Sequence, residues 1–393
     1  RAAFRASTTG RPGAAHLGLP LDVQRAPVDG DDVWAQPEFS HFPAWPTGPE
    51  AKAIEAAAEA MVAATNPVII CGGGVVLAGG EAALQAVAER LNIVVATTVS
   101  GQGSLGDHHP NCLGVVGSNG GVPATRAVID AADLVIFVGC RAGSVTTERW
   151  RSPARGVKII HIDSDPMAIS ACYQTDVAVV ADARLAFEAL NLAFEDMGTD
   201  GVDFGGDQKI AAAVKIKFQA FDELAASNDS PIKPERVVAV LNRVLPPDAV
   251  IVADPGTPCP YFSAFYRTPH AGRHFISNRA HGALGYSLSA AVGVQIGRPE
   301  AKVVAAMGDG SFGFTVGEFE TVTRLNLPIT FIVFSNSVYG WIKAGQKTGF
   351  DENYYSVDFN RTDHAAVATA FGVKSWRVED PADLGDALRD AIR

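Results

Sequence analysis

Val303-Val304-Ala305-Ala306-Met307-Gly308-Asp309-Gly310-Ser311-Phe312 and Leu327-Pro328-Ile329-Thr330-Phe331-Ile332-Val333-Phe334-Ser335-Asn336-Ser337-Val338-Tyr339-Gly340 decide the fold of this chain. Each opens on an apolar run without alternation, the pattern of a parallel strand buried on both faces. Between them, Gly317 to Asn326 carries Glu318, Phe319, Val322 and Leu325 at helical spacing. The order is strand, loop, helix, strand. A right-handed crossover turns both strand ends the same way. Asp309 and Asn336, one after each strand, are therefore expected in a common crevice at the carboxyl edge of the sheet. An acid and an amide there suit magnesium, which is held by one or two protein oxygens together with phosphates.

Composition narrows the function. The 393 residues are 47% hydrophobic, enough for large buried sheets, and a chain this long holds roughly two or three domains. The net charge of −11 with no offsetting basic stripe argues against nucleic acid. No apolar run reaches about 18 residues, so no membrane-spanning helix is expected. Cys71, Cys112, Cys140, Cys172 and Cys259 are scattered and odd in number, without metal-ligand spacing. They read as reduced thiols of a cytoplasmic protein.

The Gly308-Asp309-Gly310 turn, its distance to Asn336 and the Tyr339-Gly340 pair resemble the signature of thiamine diphosphate-dependent enzymes, of the acetolactate synthase and benzoylformate decarboxylase kind. The resemblance implies Mg2+ held by the side chains of Asp309 and Asn336 and the carbonyl of Val338. Gly308, Gly310, Ser311, Tyr339 and Gly340 would then border the cofactor. Upstream, the strand Ala249 to Asp254 runs into Pro255-Gly256-Thr257-Pro258. Relatives contact the diphosphate from this turn, which assigns Gly256 and Thr257 to the cofactor. Many relatives have glutamine-histidine here. Thr257 still offers a hydroxyl, whereas Pro258 has no N–H, so the family histidine has no counterpart.

His281-Gly282-Ala283-Leu284-Gly285-Tyr286 resembles the glycine-framed loop whose large apolar residue bends the cofactor. Leu284 holds that position; taken alone it would read as a core leucine. His281 is either substrate-facing or a satisfied structural histidine. The predicted catalytic pair is thus Leu284 and His281.

The expected architecture is α/β, with parallel-sheet domains: a central nucleotide-type domain and a diphosphate-binding domain. Residues 1–24 resemble the end of a pyrimidine-binding domain otherwise absent from the chain, with a short strand at Ala14 to Pro20. Residues 25–49 and 201–230 read as linkers, the second polar and partly helical, 50–200 as the central domain and 231–393 as the diphosphate-binding domain, which stops inside a helix from Pro381. In relatives, the glutamate that activates the cofactor lies on the pyrimidine-binding domain, outside this chain. In the central domain Gly72, Gly73, Gly74, Arg141, Asp163 and Asp182 sit where relatives bind FAD or ADP. The other reading is a structural domain that keeps a nucleotide-type fold. His108-His109-Pro110 matches a central-domain loop that is structural in relatives.

The resemblance implies a carboligase or decarboxylase acting on a 2-oxo acid, with a small 2-oxo acid or aldehyde as substrate and a homodimer or homotetramer as the assembly. Ser335 and Trp341 depart from acetolactate synthase itself, while Tyr339-Gly340 matches benzoylformate-type decarboxylases. The alternatives are an acyl-CoA lyase or other C–C lyase on the same scaffold, and a non-catalytic homologue.

Overall fold

The computed structural model describes residues 1–30 and 33–393; residues 31 and 32, in the expected first linker, lie outside the described residues. Among the described residues, ten strands form two parallel sheets. In the central domain these are β1 (Pro67–Cys71), β2 (Val94–Thr97), β3 (Cys112–Val115), β4 (Leu134–Val138), β5 (Lys158–Asp163) and β6 (Val177–Val180). They lie in the order β3-β2-β1-β4-β5-β6. The second sheet holds β7 (Val250–Ala253), β8 (Phe275–Ile276), β9 (Val303–Gly308) and β10 (Ile329–Phe334), ordered β10-β9-β7-β8. The α/β class is as expected. Short strands β3, β6 and β8 have no clear period in the sequence, which left them unpredicted.

The apolar runs divide by parity, because successive side chains leave a strand on opposite faces. Ile69, Cys71, Val95, Ile136 and Val138 pack with Ala57, Leu84, Val87 and Phe187 on one side of the first sheet. Val68, Ile70, Val135 and Phe137 pack with Ile129, Ile210 and Ala213 on the other. In the second sheet Ile251, Ala253, Val304 and Ala306 meet Val238, Leu241, Phe262 and Leu384. Val250, Val252, Val303, Ala305 and Met307 meet Leu288, Phe312 and Phe319. Each buried Val or Leu contributes about 1.5–3 kcal/mol.

Two sequence expectations change. Ala14 to Pro20 forms no strand, and among the described residues no strand lies beside it to receive its backbone groups; a short helix, Leu21–Arg25, follows. Residues 206–225, expected as a polar and partly helical connector, form one 20-residue helix packed into the fold, which buries Ile210, Ala213, Lys217 and Phe221. Its polar residues on the outer face disguise that apolar stripe.

The two sheet domains meet through this helix and through backbone pairing. Asp107 Oδ2 accepts from Thr268 N at 2.8 Å and Thr268 Oγ1 at 2.9 Å. Gly272 N donates to the Gly103 carbonyl at 2.8 Å. A methyl group at Gly103, where φ is +95°, would lie 2.0 Å from the Gly272 carbonyl oxygen, so this approach needs glycine.

Candidate functional site

The ends of β9 and β10 are adjacent because the strands pair in register from Ile329–Val303 to Phe334–Gly308. That register brings the residues after them together. Asp309 opens a short helix, Asp309–Thr315, and is buried. Its Oδ2 accepts from Asn336 N at 2.8 Å and Ser337 N at 2.6 Å. Its Oδ1 accepts from Gly310 N at 2.9 Å. The carboxylate thus fixes one strand-end loop to the other, and lone pairs remain on both oxygens. Asn336 is exposed, and its Oδ1 accepts from Val338 N at 3.3 Å. Val338 is held by a bridge to Asp358, and Tyr339 N donates to the Val357 carbonyl at 2.9 Å.

Glycines bring the loops close. A methyl group at Gly310 would lie 2.4 Å from Tyr339 Cε1, and one at Gly340 would lie 2.9 Å from Thr257 Oγ1. Leu284 sits between Gly282 at φ +81° and Gly285 at φ +83°, a bend that suits glycine. Leu284 Cδ2 lies 3.3 Å from where a Gly256 side chain would begin. The leucine therefore stands against the turn that carries Thr257.

One cavity of about 1050 Å³ joins these pieces. Gly256, Thr257, Leu284, Gly308, Asp309 and Gly310 line it. Ser311, Asn336, Val338, Tyr339 and Gly340 line it as well. His281 does not: it is exposed, and its N–H donates to the Asn278 carbonyl at 2.9 Å. The left-handed turn at Gly282 separates its direction from that of Leu284.

Asp254, at the end of β7, was missed by sequence reasoning. It is fully buried; Oδ1 accepts from Ser311 Oγ at 2.8 Å and Oδ2 from Ser287 N at 3.3 Å. Burial pushes its carboxyl above the ordinary range, against the pull of the Ser311 and Ser287 hydrogen bonds. Asp254 ties the Thr257 turn, the Leu284 loop and the Asp309 helix together from behind. An acid ending an apolar strand was the available signal. Arg279 was missed too; it lines the cavity beside Gly282.

The donor set fits a magnesium ion: a carboxylate, an amide oxygen and a main-chain carbonyl, all hard oxygens, in a cavity large enough for a phosphate-bearing molecule. Among the described residues, no group of three His, Cys, Asp or Glu side chains offers a metal site elsewhere.

Of the expected nucleotide residues of the central domain, Gly72, Gly73, Gly74, Asp163 and Asp182 make contacts within the fold. A methyl group at Gly72 would lie 2.1 Å from the Gly139 carbonyl oxygen, and one at Gly74 would lie 2.7 Å from Gly139 Cα. Gly73 packs on Ser100. Asp182 caps the helix Ala183–Asp196, accepting from Arg184 N and Leu185 N. Asp163 Oδ1 accepts from Asp165 N at 2.9 Å, and Arg141 is exposed. His109 pairs with Glu89 at 3.1 Å on the surface of this domain. No helix among the described residues is long and apolar enough to cross a membrane.

Comparison with known proteins finds two matching family models. Residues 54–190 match the family described as thiamine pyrophosphate enzyme, central domain. Residues 254–393 match thiamine pyrophosphate enzyme, C-terminal TPP binding domain. A probable acetolactate synthase large subunit of Methanococcus aeolicus is 30% identical over 404 residues, covering 100% of this chain and 67% of that protein. A protein of the same description from Methanocaldococcus jannaschii is 31% identical, covering 100% of this chain and 66% of its own length. A glyoxylate carboligase of Escherichia coli O157:H7 is 30% identical, covering 99% and 66%. The chain spans about two thirds of the length of these relatives.

Proposed function

This chain belongs to the thiamine pyrophosphate enzymes of the acetolactate synthase-like type, and we propose that it forms the diphosphate-binding and central parts of a carboligase or decarboxylase for a 2-oxo acid. The observation that carries this reading is the single cavity shared by Asp309, Asn336, Val338, Thr257 and Leu284. Asp309 and Asn336, with the Val338 carbonyl, would hold Mg2+ and through it the diphosphate. Thr257 would donate its hydroxyl to a phosphate oxygen. Leu284 would support the cofactor from the opposite loop and exclude water from the reacting face. When bound, thiamine diphosphate supplies the carbanion stabilisation that lets the bond to a carboxyl carbon break. Asp254 acts at one remove, by fixing the loops that carry these groups.

The proposed carboligase or decarboxylase chemistry itself does not call on FAD, because thiamine diphosphate supplies the carbanion stabilisation. The proposed assembly is a two-fold homodimer or a dimer of dimers.

The test uses the full-length protein with thiamine diphosphate and Mg2+. CO2 release from a panel of 2-oxo acids, with sedimentation of the same preparation, is measured. Metal-dependent CO2 release from a dimer or larger species is expected. Cleavage of acyl-CoA substrates alone, no turnover despite bound cofactor, or full activity in a monomer would each overturn the corresponding part.

A further inference from the structure

The cavity is lined by four cationic side chains, Arg279, Arg361, Lys374 and Arg377. Three of them are occupied. Arg361 pairs with Glu379 at 2.8 Å, and Arg377 pairs with Glu379 at 2.6 Å and Asp363 at 3.3 Å. Lys374 Nζ lies 4.7 Å from the Trp376 ring centre. Arg279 has no acidic partner among the described residues.

What holds Arg279 is a neutral amide from the other domain. The side-chain oxygen of Asn119 accepts from Arg279 Nε at 2.9 Å and Nη2 at 3.2 Å. The amide orientation follows from its partners, since only the oxygen can face two N–H donors. Asn119 is itself buried, and its carbonyl accepts from Ser263 Oγ. The guanidinium is thereby clamped along one edge. Among the described residues the Nη1–Nη2 edge has no acceptor, with Nη1 3.6 Å from where a Gly282 side chain would begin. Such an edge is a two-donor fork that matches a carboxylate.

We propose that Arg279, clamped by Asn119, reads the carboxylate of an acceptor 2-oxo acid in this cavity. The inference rests on the function proposed above and adds to it a residue and a substrate role. The donor's carboxylate is the poorer match. Its charge leaves as CO2 is released, so a cation holding it favours the ground state over the transition state. The acceptor's carboxylate survives the reaction. The donor's bond to its carboxyl carbon breaks, CO2 leaves, a new bond forms to the acceptor's carbonyl carbon, and that oxygen takes a proton from solvent. Arg279 can hold the acceptor throughout at no such cost.

The experiment compares wild type, Arg279→Gln and Arg279→Lys as full-length, cofactor-loaded protein. With pyruvate as donor, 2-oxobutyrate competes with propionaldehyde, its neutral counterpart. Oxamate, an unreactive carboxylate probe, and thiamine diphosphate are titrated separately. Arg279→Gln should lower kcat/KM for 2-oxobutyrate as acceptor at least tenfold, through KM. CO2 release and the aldehyde product should persist. The Kd for oxamate should rise at least tenfold, with the lysine variant between and cofactor affinity unchanged. Unchanged partition and unchanged oxamate binding would overturn the proposal. So would a parallel loss of cofactor affinity in both variants, which would make Arg279 a diphosphate ligand. If the wild type releases no CO2 from any 2-oxo acid, the proposed function fails and the oxamate titration alone decides for Arg279. Equal or absent oxamate binding in wild type and Arg279→Gln then overturns it.

Discussion

At the residue scale, two side chains have separable duties. Asp309 joins two strand-end loops and offers lone pairs outward. Leu284 offers only shape, pressed toward Gly256 from a loop bent at two glycines. Leu284→Ala should therefore leave cofactor affinity nearly intact and lower kcat about tenfold to a hundredfold, because misplaced reacting atoms cost rate steeply. Steady-state kinetics with a cofactor titration checks this. Wild-type turnover in the alanine variant would reduce Leu284 to a core leucine. The sequence made these positions legible because each lies at a fixed offset from a strand or between two glycines. It could not do so for His281, whose direction is set by the local turn at Gly282.

At the scale of elements, long apolar strands were readable and short edge strands were not. The helix Gly206–Ala225 shows why polarity misleads. Lys217 lies on its buried side, 5% exposed, near Asp107, Cys112 and Arg267. Its ammonium also stands 5.6 Å from the Phe218 ring centre. Burial pushes the Lys217 amine below its ordinary value, with Asp107 pulling the other way. Between that lowered value and the ordinary one, about 10.4, the unfolded chain binds more protons than the folded one. Stability therefore rises with pH across that window and is lost as pH falls through it. Lys217→Met should remove this slope and raise stability near pH 7 by about 1–3 kcal/mol, the scale of burying a poorly compensated polar group. Thermal unfolding at pH 7 and pH 9 measures both. A destabilised variant with the slope intact would show that the lysine is fully compensated.

For the whole molecule, the site depends on contacts that no local pattern records. Asn119 and Arg279 meet across two domains, and Asp254 meets Ser311 from a different strand. Such pairs acquire meaning only after the sheets are assembled, which is why Arg279 carried no signal in the sequence and Asp254 only that of an acid ending an apolar strand, while Asp309 and Asn336 were legible. The latter sit within one strand–helix–strand unit, whose handedness alone predicts their meeting. The former need the docking made by Asp107, Thr268, Gly103 and Gly272.

The central claim is that Asp309 and Asn336 hold the metal that binds the diphosphate. Calorimetric titration of thiamine diphosphate into the wild-type and Asp309→Ala proteins, each with and without Mg2+, tests it most directly. Far-ultraviolet circular dichroism confirms that the variant is folded. The wild type should bind only with the metal. The variant should lose that dependence together with at least a hundredfold in affinity, since the metal's one charged protein ligand is gone. Unchanged, metal-dependent affinity in a folded Asp309→Ala protein would contradict the account.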